Sequence, residues 1–214
     1  MSGFAEDGFG GASVSAADEV KHRAFGHVIG SINSAACFPA QMFQGSWGAF
    51  LFFESDRLFA SDFAVVAAGM LNAEQAEVCC LLNFSETDTL AYESASMLFI
   101  DARTEPHAYA GMLRQGGPAK GWLFGVGRYG SASDRGGWSI YCEKGNDVAA
   151  IALREPGDRE KYIECLKQLH AKPIAMLLKA GSAAPVPFGQ LTESWRRDLT
   201  QHYGGPWMLK PQRG

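Results

Sequence analysis

The sequence predicts an α+β protein: a mainly antiparallel sheet flanked by helices, in a single domain. Three observations carry that expectation. Residues 138–153 read as a β-hairpin, segments on both sides of it carry helical periodicity, and 214 residues that are 47% hydrophobic and 20% charged are enough for a substantial core. The hairpin is the most constrained stretch. Gly145-Asn146 suits a two-residue turn, because both residue types tolerate positive φ. Counting outward, Lys144 pairs with Asp147, Cys142 with Ala149, Ile140 with Ile151 and Trp138 with Leu153, so one face is wholly apolar. A slip of one residue would destroy that face, so turn chemistry and burial favour the same register. Residues 122–129 are expected to form a third strand beside it.

Along the chain, residues 1–14 are glycine-rich with isolated Phe4 and Phe9, which reads as a flexible N-terminal arm. The domain is expected over 15–206, with 207–214 as a C-terminal tail. Ser15 is a helix N-cap followed by Asp18 and Glu19 in the first turn, and Val20, Ala24, Val28 and Ile32 recur every four residues as a buried stripe. Pro39 lies beyond that helix. Residues 47–53 are short, aromatic and followed by Glu54-Ser55-Asp56, and predict an interior strand buried on both faces.

Ser61-Asp62 can cap a helix through Phe63, Val66, Ala67 and Met70, and Asn72 with Gln75 resembles a second cap directly after it. Residues 78–84 fit helix and strand equally, since a short apolar run has no diagnostic period. Residues 96–102 predict a strand. Thr104-Glu105-Pro106 starts a helix that places Tyr109, Met112 and Leu113 on one side. After the hairpin, Pro156 and Asp158 open a helix with Tyr162, Ile163, Leu166 and Leu169 on one face and His170 in its last turn, where a cation would interact favourably with the dipole. Residues 173–178 predict a short strand. Thr192 caps a last helix with Trp195 and Leu199 inward, and Gly204-Gly205-Pro206 stops it.

Charge is unevenly spread. Residues 1–120 hold 6 Lys and Arg against 14 Asp and Glu, and residues 121–214 hold 13 against 9, which sum to the overall −4. No dense like-charge run marks a nucleic-acid footprint. The five cysteines, Cys37, Cys79, Cys80, Cys142 and Cys165, are odd in number, sit among apolar residues and lack CxxC spacing, which suits buried thiols in a reducing compartment and predicts neither a metal site nor a disulfide framework. The N-terminus has no apolar leader, and the longest apolar run, 63–71, falls far short of the roughly 20 residues of a membrane span. The expected location is cytoplasmic, with no membrane partner.

Gly125, Gly127 and Gly130 spell the letters of a dinucleotide fingerprint, yet the following residues read as a polar loop rather than a helix, so no nucleotide or other cofactor is expected. That loop, 128–137, with Arg128, Tyr129, Asp134 and Arg135, is the candidate binding site, because loops on a rigid sheet gather polar groups at its edge. Cys37 with His22 or His27 supplies thiol and base residue types, although no spacing brings them together. There is no GxSxG elbow, Walker loop or HExxH motif, and no catalytic residue is assigned. The preferred expectation is a non-catalytic interaction module whose partner is another protein, with immunity and inhibitor proteins that neutralise a macromolecule as an analogy only. The alternative is a small hydrolase or transferase with its site at 128–137.

Overall fold

The structure is a computed structural model that describes residues 15–86, 91–117, 122–180 and 187–205. The expected N-terminal arm (1–14) and C-terminal tail (207–214) lie outside the described residues. The strands are β1 (Ala49–Glu54), β2 (Val78–Asn83), β3 (Met97–Asp101), β4 (Arg128–Ser133), β5 (Trp138–Glu143) and β6 (Val148–Leu153). The helices are α1 (Ala16–Ser31), α2 (Phe63–Glu74), α3 (Pro106–Arg114), α4 (Asp158–Lys161), α5 (Ile163–Gln168), α6 (Ile174–Lys179) and α7 (Glu193–Tyr203). The strands form one antiparallel sheet in the order β1-β6-β5-β4-β2-β3, the α+β arrangement that the sequence predicts.

The β5–β6 register is Trp138 with Leu153, Ile140 with Ile151 and Cys142 with Ala149, as counted from the sequence. The turn differs. It is a four-residue loop in which Lys144–Asn146 form a 3-10 turn and Asp147 takes the left-handed conformation at φ 55. Two-residue and four-residue loops centred on the same bond align the same pairs, so the register survives the change of turn type.

Both faces of the sheet are buried. Against one face, Trp138, Ile140, Cys142, Ala149, Ile151 and Leu153 pack with residues of α2, α3 and α5. Against the other, Phe50, Phe52, Tyr141, Ala150 and Ala152 pack with α1, α6 and α7. Helix α1 is capped as expected, with the Asp18 N–H donating to Ser15 Oγ at 3.2 Å, and Val20, Ala24 and Val28 are buried. Its approach to the sheet depends on Gly130, where a Cβ would meet Ile32 Cδ1 at 2.6 Å, Phe84 at 2.7 Å and Val28 at 3.0 Å.

Several expectations are corrected. Residues 122–127 are not a strand; β4 begins at Arg128 and runs through Ser131, Ala132 and Ser133, which the sequence had placed in a polar loop. These small residues are fully buried beneath the helical layers, and packing outweighs their weak strand propensity. Segment β1 is an edge strand: its side chains are buried because the helical layers cover both faces of the sheet, and its outer backbone edge is capped where the Phe52 N–H donates to the Lys172 carbonyl at 2.7 Å and the Lys172 N–H donates to the Phe52 carbonyl at 3.0 Å. Asn72 is inside α2, and Gln75 is its left-handed terminus at φ 59 rather than part of a new cap.

Residues 78–83 are a central strand, and 174–179 are a helix, not a strand. The helix predicted after Asp158 breaks into α4 and α5 at Tyr162; Tyr162, Leu166 and Leu169 are buried, but Ile163 is exposed. In α7, capped by Thr192, Leu199 is buried and Trp195 only partly so. Among the described residues, no helix is long and apolar enough to cross a membrane.

Candidate functional site

The four residues expected to share a binding loop are divided by β4. At roughly 3.3 Å per residue, the six positions from Arg128 to Asp134 put them about 20 Å apart, at opposite ends of the strand. Asp134 is buried at the far end. Its Oδ1 accepts from the N–H groups of Glu77 (2.8 Å) and Val78 (3.1 Å), and its Oδ2 lies 3.5 Å from Arg23. That carboxylate closes the chain onto β2 and is spent internally. Arg135 is exposed beside it, with its N–H directed to Ser133 Oγ at 3.3 Å.

Tyr129 is 1% exposed and packs at 4.8 Å from Phe59 and 5.6 Å from Trp122, and burial pushes its phenol up to about 12. It therefore cannot serve as the surface aromatic that the sequence suggested. Arg128 is half-buried, and its Nη1 donates to the carbonyls of Ser34 (3.0 Å) and Ala36 (3.1 Å).

What the Arg128 end of the sheet does expose is the loop that precedes β4. Phe124 is 57% and Val126 78% exposed. The loop is held at both ends. Leu123 N–H donates to the Leu113 carbonyl at 3.2 Å, and Lys144 N–H donates to the Gly127 carbonyl at 3.1 Å. Lys144 Nζ donates to the carbonyls of Trp122 and Leu123 and lies 4.4 Å from the centre of the Phe59 ring. Burial lowers the pKa of this ammonium, opposed by the nearby Asp56 carboxylate.

Neighbouring segments are tied to the same end through Glu143. Its Oε1 accepts from Phe38 N–H (2.5 Å) and the Tyr141 hydroxyl (2.8 Å), and its Oε2 accepts from Asn146 Nδ2 (2.6 Å). The resulting surface has Phe124 and Val126 standing out from a braced base, with Lys144, Arg128, Asp56 and Asp147 in the surrounding segments. Sequence reasoning missed Phe124 and Val126 because alternating apolar and glycine residues in 122–127 mimic a half-buried strand.

The other candidate features are placed as follows. Glycines 127 and 130 serve packing, since a Cβ at Gly127 would lie 2.6 Å from Ser85 Oγ, and a strand rather than a helix follows them. Cys37 is exposed, contrary to the expectation for all five thiols, whereas Cys79, Cys80 and Cys142 are buried and Cys165 partly so. Neither histidine weighed as its base faces it: His22 stacks on Tyr92 at 3.6 Å, and His27 occupies the space beside Gly136.

His170 follows α5 in the left-handed conformation at φ 56, with its N–H on the Lys167 carbonyl and the Ala171 N–H on the Leu166 carbonyl, a Schellman terminus. Its Nδ1 lies 3.4 Å from Arg57 Nη2 and must be the acceptor, since guanidinium has none. With Glu54, these two side chains edge a cavity of about 20 Å³ floored by Phe52, Leu177 and Phe188, far smaller than the roughly 300–1,000 Å³ of small-molecule sites. Among the described residues, no group of three or more His, Cys, Asp or Glu is placed to hold a metal ion. No protein-family model, curated protein or solved structure matches the chain.

Proposed function

We propose that this chain is a non-catalytic protein-interaction module that binds, and thereby neutralises or positions, another protein through the sheet end around Phe124 and Val126. The observation that carries the reading is the exposure of these two apolar side chains, 57% and 78%, on a loop braced at both ends. Aromatic anchors held in a prepared conformation dominate binding energy because little side-chain or loop entropy is lost on association. Charged groups around them tune association rate and partner choice. Arg128 and Lys144 contribute their alkyl stems and rim charge, and Arg128 keeps from the sequence reading a place at this surface. Arg135 and Asp134, at the opposite end of β4, have none in it.

A protein partner is favoured over nucleic acid because the chain carries a net charge of −4, and phosphate binding rests on basic surface. Buried Cys79, Cys80 and Cys142 as free thiols support a reducing compartment, the cytoplasm. The experiment is affinity capture from host extract with the native chain and with the double variant Phe124→Ala, Val126→Ser. The expected result is a partner retained by the native chain and lost by the variant, with unfolding midpoints unchanged. A partner retained equally by both would reject this surface.

A further inference from the structure

The charges around Phe124 and Val126 are not equally free to meet a partner. The two cations closest to the loop are turned toward the chain itself. Lys144 Nζ donates to the carbonyls of Trp122 and Leu123 and lies 4.4 Å from the centre of the Phe59 ring. Arg128 Nη1 donates to the carbonyls of Ser34 and Ala36 at 3.0 and 3.1 Å. Neither cation forms an ion pair among the described residues.

The carboxylates are disposed the other way. Asp147 closes the β5–β6 turn, and that turn abuts the loop, since a Cβ on Gly145 would lie 3.1 Å from the Val126 carbonyl oxygen. The Asp147 carbonyl accepts from the Ser55 N–H at 3.1 Å, which brings Asp56 beside the same turn. Asp56 and Asp147 are exposed, and neither carboxylate makes an ion pair among the described residues.

Glu86 lies on the opposite flank of β4, beyond the end of β2. Ser85 Oγ accepts from the Arg128 N–H at 2.9 Å, and a Cβ on Gly127 would lie 2.6 Å from that oxygen, so the 85–86 segment adjoins the loop directly. Glu86 is exposed, and its Oε2 accepts from the Ser96 hydroxyl at 3.1 Å. Two further cations stand near the rim. Arg57 is directed to His170 Nδ1 at 3.4 Å, and Arg114 is exposed at the end of α3, where the Leu113 carbonyl accepts from the Leu123 N–H. Apart from Arg114, the exposed charge bordering the apolar pair is carboxylate.

We infer that the protein face received by Phe124 and Val126 is basic: an apolar socket bordered by Lys or Arg side chains that meet Asp56 and Asp147 on one side and Glu86 on the other. This rests on the binding surface proposed above and adds the chemistry of its partner. An acidic face would set like charges against carboxylates that have no counter-ion in the chain, and Lys144 and Arg128 could reach it only by giving up their carbonyl hydrogen bonds. The apolar pair supplies contact energy, while the carboxylates select the partner and speed its approach. Binding therefore needs both sets of side chains and weakens as salt rises.

The test is selection of a phage-displayed library of random peptides, each about twelve residues long, on the full chain. Enriched peptides are made with a fluorescent label and titrated by anisotropy against three proteins: the native chain, Phe124→Ala with Val126→Ser, and Asp56→Asn with Asp147→Asn and Glu86→Gln. All the substituted side chains are exposed, and Asn accepts the left-handed φ of 55 at position 147 as Asp does, so unfolding midpoints should match the native chain.

The expected peptides carry Lys or Arg on both sides of apolar residues. At about 50 mM salt the carboxylate variant should bind them about tenfold more weakly or worse, and at about 500 mM most of that difference should vanish. The Phe124 and Val126 variant should weaken the same peptides at least as much, and Arg114→Gln should tighten them. Neutral or acidic peptides, or basic ones held equally by the carboxylate variant, would overturn the inference while the surface stands, provided that their binding is lost with Phe124 and Val126. Peptides bound equally by the Phe124 and Val126 variant, or a selection that enriches none, would overturn the surface and this inference together.

Discussion

Cys37 is the residue at which a sequence-level regularity and the folded environment part. Its apolar neighbours suggest burial like that of the other thiols, yet it is exposed, because the segment that buries Phe38 against Tyr141 and Glu143 leaves the preceding residue on the surface. A maleimide reagent should therefore label Cys37 rapidly in the native protein and Cys79, Cys80 and Cys142 only after denaturation, read residue by residue by mass spectrometry. The buried thiols also set a pH dependence. Burial raises Cys79 from its ordinary 9.0 to about 12, and Cys80 and Cys142 further. In the window above pH 9 the folded chain keeps protons that the unfolded chain has lost. The stabilisation is therefore complete below pH 9 and is lost as pH rises, by up to about 1.4 kcal/mol per pH unit for each thiol. Lys144, with a lowered pKa, opposes this with a single group. Urea midpoints should fall from about pH 8 to about pH 10, and Cys142→Ala should flatten that fall. A midpoint that rises over the same interval would show the thiols to be solvated.

At the scale of elements, the β5–β6 hairpin was legible because its apolar face and its turn centre give independent estimates of one register. Ile151, fully buried opposite Ile140, should cost about 2–5 kcal/mol when truncated to alanine, as measured by urea unfolding. Strand β4 was legible only in part. Trp122, Leu123 and Phe124 carry the stronger strand signal, but Ser131-Ala132-Ser133 form the strand, since small side chains fit beneath the helical layers and the larger ones were free to brace or leave the sheet end. The candidate site suffered from this shift: Tyr129 moved into the core, and the exposed aromatic role passed to Phe124. Helix α6 was misread as a strand because the five apolar residues that follow Pro173 have no period long enough to separate the two. Gly48, which no motif flags, sits where β1 meets residues 155–156; a Cβ there would lie 2.3 Å from Pro156 N and 2.5 Å from the Glu155 carbonyl carbon. Gly48→Ala should therefore destabilise by about 2 kcal/mol or more, because backbone on both sides has to move. An unchanged midpoint would mean that the β1 edge is free to relax.

For the whole molecule, the account rests on a division of labour between a sheet buried on both faces and the surface at its Arg128 end. Lys144, Arg128 and Glu143 tie loops from three parts of the chain to that end, so Phe124 and Val126 are presented by a rigid support while contributing little to the core. Binding and stability should accordingly separate there and nowhere within the sheet. The most direct test is titration calorimetry of the captured partner against the native chain, Phe124→Ala and Val126→Ser, alongside urea unfolding of all three. The account predicts that Phe124→Ala weakens binding about 30-fold or more, the equivalent of about 2 kcal/mol at a central aromatic anchor, with Val126→Ser smaller in the same direction and stability within about 0.5 kcal/mol of native. Equal affinity across the three proteins, or a loss of affinity matched by a loss of stability, would contradict it.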